Sequence, residues 1–61
     1  MTLTQAQKLL AEYALDVHKR TGYALENFAT TTARPTMRGW TFALVSGGTA
    51  LVLNRGEVVT Y

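Results

Sequence analysis

From Gly39 onward the chain reads GWTFALVSGGTALVLNRGEVVTY, three short apolar runs separated by glycine-bearing turns. No other stretch restricts the possible folds as much. Runs of this length, rich in β-branched and aromatic residues and bounded by Gly, Ser and Asn, read as strands joined by tight turns. Gly47-Gly48 is a two-residue hairpin signal. A turn there pairs Ser46 with Thr49, Val45 with Ala50, Leu44 with Leu51 and Phe42 with Leu53. Cross-strand partners share a face. Trp40, Phe42, Leu44, Leu51 and Leu53 then gather on one side, and Thr41, Ala43, Val45, Ala50 and Val52 on the other.

Asn54-Arg55-Gly56-Glu57 is a second turn whose length is open. A three-residue loop over Asn54–Gly56 pairs Leu53 with Glu57 and Leu51 with Val59. Val59 and Tyr61 then join the aromatic face, and Val58 joins Val52 behind it. A two-residue loop reverses that assignment. The longer loop is preferred because it places the larger Tyr61 on the core side.

The first twenty residues read as one amphipathic helix. Leu3, Ala6, Leu9, Leu10, Tyr13, Ala14 and Val17 recur at three- and four-residue spacing, with charged and amide residues between them. Thr4 with Gln7 forms a capping-box pattern, and Thr2 with Gln5 offers the same box two residues earlier. Lys19 and Arg20 suit the negative end of the helix dipole, and Gly22 suits its close. Residues 24–33, ALENFATTTA, favour a strand through their threonines. Leu25 and Phe28 do not alternate cleanly, which points to a bulge or a late start. RPTMRG, 34–39, reads as a connection. The expected fold is therefore α+β: one domain over residues 1–61, with an N-terminal helix packed on a three- to four-stranded antiparallel β-meander.

A chain of 61 residues buries only about 60% of the surface its unfolded form exposes, so small domains often add disulfides, a metal or a partner. The absence of Cys removes disulfides and thiolate sites, and one His does not build a zinc site by itself. No cofactor is expected, and either good packing or self-association is the expected supplement. With 48% hydrophobic and 16% charged residues, the chain lies outside the disordered class. No run approaches the ~20 apolar residues of a membrane span, and MTLTQAQKLL lacks the basic start and apolar run of a signal peptide. A cytoplasmic protein without a membrane partner is expected. A net charge of +2 and a pI of about 9.4 are mildly basic.

The chemistry-bearing residues are few. His18 sits beside Lys19 and Arg20, with Asp16 two residues away on another face, and reads as a solvated histidine at a helix end. Ser46-Gly47-Gly48-Thr49 lacks the Lys and the following helix of a phosphate loop. Glu12, Asp16, Glu26 and Glu57 form no pair with acid/base spacing, and no nucleophile, base and oxyanion donor come together. A non-enzyme is expected. One helix covers one sheet face, so the second apolar face has no cover of its own. Either it is simply good strand-forming surface, or it or an edge strand docks a second copy or another protein. On the docking reading the contact residues are Val45, Val52 and Val58, with Arg34, Arg38 and Arg55 as charged anchors. The alternative is nucleic-acid binding through the same three arginines, beside Trp40.

GWTF at 39–42 and ALVLNRGEVVTY at 50–61 resemble the C-terminal strands of bacterial toxin-immunity proteins with a YrhB-type domain. Those proteins also place a helix ahead of a small antiparallel sheet. The likeness covers roughly 25 residues and rests on a Gly-Trp opening a strand and a Gly turn near the end. It implies a small non-catalytic protein that binds and neutralises a protein partner; the homodimer is expected from the uncovered apolar face and not from the likeness. The size and style also suit an accessory protein of a phage or mobile element, such as an inhibitor of a host defence enzyme.

Overall fold

A computed structural model describes all 61 residues. Helix α1 spans Leu3–Thr21, a 3-10 turn follows at Leu25–Phe28, and four strands complete the chain: β1 Thr30–Thr36, β2 Gly39–Leu44, β3 Thr49–Leu53 and β4 Val58–Thr60. The strands form one antiparallel sheet in the order β1-β2-β3-β4. The helix packs on one face of β2, β3 and β4, giving the expected α+β arrangement.

Of the two capping boxes in the sequence, the earlier one forms. Thr2 Oγ1 accepts from the Gln5 amide at 3.1 Å, and Gln5 Oε1 accepts from the Thr2 amide at 2.8 Å. The helix ends at Gly22, in the left-handed conformation at φ 76°. Asp16 and Arg20 are paired at 3.0 Å, but both are well exposed, so the pair contributes only tenths of a kcal/mol. Thr2→Ala is expected to destabilise the protein by about 1 kcal/mol, lowering the melting temperature by about 4–8 °C. Thr4→Ala, inside the first turn, should barely shift it. Paired thermal melts by circular dichroism check both.

Ala6, Leu10 and Ala14 repeat every four residues and form the buried stripe of α1. Ala6 and Leu10 meet Phe42, Leu44, Ala50 and Val52 in the core, with Leu3, Leu9, Phe28, Ala33, Trp40 and Val58 packed around it. Phe42 and Val52 are the largest fully buried side chains. Small residues on both layers, Ala6 on the helix and Ala50 on the sheet, are completely buried, so α1 can approach the sheet closely.

Three sequence expectations are corrected here. First, the β2–β3 register differs by three residues: Phe42 pairs with Ala50, Thr41 with Leu51 and Trp40 with Val52. The turn is a three-residue loop, Val45-Ser46-Gly47, closed by the Leu44 amide donating to the Gly48 carbonyl at 2.9 Å, with Gly47 at φ 100°. Only a glycine adopts that conformation without strain, and a three-residue loop ending on it is a common hairpin. An odd shift turns every β3 side chain to the opposite face. Ala50 and Val52 therefore go into the core, and Leu51 and Leu53 go to the outside.

Second, the β3–β4 turn is the preferred three-residue loop, with Leu53 bonded to Glu57 at 2.8 Å and Leu51 paired with Val59. Because β3 is reversed, this loop sends Val59 and Tyr61 to the open side, where Tyr61 is 72% exposed, and brings Val58 beside Val52 toward the helix. Third, Arg34, Pro35 and Thr36 belong to β1, and the connection shrinks to Met37-Arg38. Pro35 is tolerated because β1 is an edge strand, where a missing N–H need not break the ladder. The bulge and late start foreseen for 24–33 are both present: the strand begins at Thr30, and its register shifts between Thr30 and Thr32.

Candidate protein-interaction face

The helix and the 3-10 turn leave the far face of the sheet without a covering layer. Cross-strand pairing arranges that face in rows. Arg34, Thr41, Leu51 and Val59 form one, and Thr32, Ala43 and Thr49 form the next, with Tyr61 bonded to Thr49 through both backbone groups at 2.8 and 2.9 Å. Leu53 lies beyond Leu51 and is paired with Gly39. The result is an apolar centre of Ala43, Leu51, Leu53 and Val59, bordered by threonines. Leu51 and Leu53 are half-buried by their neighbours, and Val59 is exposed.

Val45 is exposed, but it lies in the β2–β3 turn and not in a strand paired with Ala50. Val52 is fully buried beneath α1, and Val58 packs against the core, so neither is available on the open face. The register shift is the reason, and it puts Leu51, Leu53 and Val59 in their place. The alternation of the sequence contained these residues. What it lacked was the loop length that decides which set faces out.

The expected gathering of arginines is in part realised. The β1–β2 and β3–β4 turns lie at the same end of the meander and are tied together. The Asn54 amide donates to the Arg38 carbonyl at 2.7 Å, and Asn54 Nδ2 donates to the Met37 carbonyl at 3.2 Å. Arg38 and Arg55 therefore occupy neighbouring turns. Arg55 is paired with Glu57 by one hydrogen bond of 3.2 Å and a second ion-pair contact at 3.1 Å, whereas Arg34 and Arg38 have no carboxylate partner. Trp40 lies on the helix side of the sheet, half-buried, and its Nε1 donates to the Met1 carbonyl at 3.1 Å. It anchors the N-terminus and does not share a face with Arg34.

The remaining candidates are structural. Exposed His18 donates from Nδ1 to the Tyr23 carbonyl at 2.9 Å, which secures the chain just after the helix. Phe28 lies edge-on to Tyr13 and Tyr23, with ring centroids 5.9 and 5.5 Å apart. Beside it, an apolar groove of about 400 Å³ runs between α1 and the 3-10 turn, with Leu10, Ala14, Leu15 and Leu25 in its walls. Sequence reading missed this groove because Leu15 lies outside the main helical stripe. Ala11 and Leu15, four residues apart, were its available signal. No group of three or more His, Cys, Asp or Glu side chains comes together, and no helix is long and apolar enough to cross a membrane.

No protein-family model, curated protein or solved structure matches the chain. The functional reading therefore rests on the geometry of the face and of the turns beside it.

Proposed function

We propose that this chain is a small non-catalytic protein-binding module of inhibitor or immunity type, which acts in the cytoplasm by occupying a protein partner. The open face carries the reading. A one-sided antiparallel sheet normally turns polar residues to water, and here its centre is Ala43, Leu51, Leu53 and Val59. Arg34 on that face and Arg38 at its end are free of intramolecular carboxylates and would serve as charged anchors. The resemblance of GWTF and ALVLNRGEVVTY to immunity-protein strands agrees with this reading.

The test is capture with immobilised wild-type chain and with Leu53→Lys, whose fold is checked by circular dichroism. A protein retained by wild type and lost from Leu53→Lys is the expected result. Equal retention by both baits would remove the open face from the reading.

One observation favours a second reading, nucleic-acid binding: the Asn54 bonds bring the Arg38 and Arg55 turns together. It ranks lower because Arg55 is held by Glu57 and Trp40 faces the helix, which leaves no aromatic platform beside the arginines. Its signature would be affinity for single-stranded DNA or RNA that falls steeply with salt and is lost in Arg34→Ala and Arg38→Ala. Affinity that is absent or insensitive to salt rejects it.

A further inference from the structure

We infer that the occupant of the open face is a second copy of this chain, stacked sheet to sheet about a two-fold axis that runs along the strands. The inference rests on the reading of that face as a protein-binding surface, and it names the partner. Its basis is the placement of two charges. Arg34 stands on β1, in the row that continues through Thr41 and Leu51 to Val59. Glu57 stands at the opposite edge, bonded to Leu53, one row nearer the turn end. One row is two residues, or about 7 Å along the strand. Arg34 is exposed and has no carboxylate within its own chain, and Glu57 is exposed, with only a solvent-screened pair to Arg55 that leaves its carboxylate able to accept a second cation.

A half-turn about an axis parallel to the strands keeps the height of each residue and exchanges the two edges. It lays β1 over β4 of the other copy, and β2 over β3. Each Arg34 then lies over Val59 of the other copy, one row from its Glu57 and within reach of an extended arginine side chain. The same operation lays Leu51 and Leu53 of each copy over Thr41 and Gly39 of the other, beside the axis at the centre of the face. A half-turn about an in-plane axis across the strands lays β1 over β1, where no acid is present, so the charges select the first axis. Self-complementarity of this kind is what an isologous interface requires. It leaves the Arg38 and Arg55 turns of both copies at one open end.

The face measures roughly 15 × 19 Å from strand spacing and rise, well under the area of a standard interface, so the dimer belongs to the weak, transient class and should dissociate at about 0.1 mM. The experiment is sedimentation equilibrium on the full chain from about 10 μM to about 1 mM, a range that brackets such affinities. The average mass should rise from one chain to two, and Leu53→Lys should stay monomeric. Arg34→Glu and Glu57→Arg should each weaken association by about tenfold or more, and the double variant should recover it. Circular dichroism of each variant separates lost association from lost folding, and Arg34→Lys, which keeps the charge, should still associate. A wild type that stays monomeric throughout overturns the inference, as does a dimer indifferent to Leu53→Lys or a double variant that fails to recover. A monomer whose capture of another protein is still lost in Leu53→Lys overturns self-association alone. A monomer with no such capture overturns the protein-binding reading as well.

Discussion

Val52→Lys is expected to unfold the protein, whereas Leu51→Lys leaves it folded. The two residues are neighbours on β3 and point to opposite faces. Val52 is fully buried beside Phe42 under the helix, and Leu51 lies on the open side. A lysine at 52 must bury an ammonium without a partner or lose its proton, because no carboxylate lies in the core, and either route costs several kcal/mol. A domain of this size has roughly 3–9 kcal/mol of stability in all. Val52→Lys should therefore show no cooperative melt, while Leu51→Lys should lose about 1 kcal/mol. Thermal melts decide the register directly. If Val52→Lys melts near wild type and Leu51→Lys does not fold, β3 faces the other way.

The second large effect falls on a residue with no side chain. Gly39 opens β2 at φ 148° and is buried. A Cβ there would stand 1.9 Å from the Val52 carbonyl oxygen, with the Val52 carbonyl carbon and the Asn54 nitrogen at 3.0 and 3.1 Å. These are backbone atoms, so no rotamer change relieves the overlap, and β2 must move away from β3. That movement disturbs a tight cluster. The Gly39 and Arg38 amides both donate to Thr36 Oγ1, at 3.1 and 3.2 Å, and the Arg38 carbonyl holds the Asn54 amide. Gly39→Ala is expected to cost about 3 kcal/mol or more, a fall of at least about 12 °C in melting temperature. Gly56→Ala has open space around the added carbon and only a positive φ against it, so about 1 kcal/mol is expected. A Gly39→Ala protein melting within a few degrees of wild type would mean that the strand pair yields at this point. Because Gly39 adjoins the Arg38 carbonyl through which Asn54 ties the two arginine-bearing turns, its substitution should also weaken binding of any partner that uses them.

How much of this was legible in the sequence depended on whether a signal was local. The helix was legible because its stripe, cap and stop all lie within about twenty residues of one another and agree. The hairpins were legible for the same reason: each apolar run ends at a glycine. Pro35 was read as ending the strand, because a sequence does not say which strand will lie at an edge. The interaction face was legible only in kind. An uncovered apolar face follows from having one helix and one sheet, but its members changed from Val52 and Val58 to Leu51, Leu53 and Val59.

The physical reason lies in the two adjacent glycines. Gly47-Gly48 permits a two-residue turn, and Gly47 alone permits a three-residue one, so local energetics leave both registers open. Packing against the helix separates them. Ala6 and Ala50 meet with no exposed surface, and Val52 fits beside Phe42. The other register would press Leu51 and Leu53 into the same thin layer, and interiors do not absorb such excess volume without strain. By itself, then, the sequence determined a capped helix, three to four strand-forming runs and a surplus apolar face. Only the tertiary structure decided which side chains form that face, because a period of two turns an odd shift in register into an exchange of inside for outside.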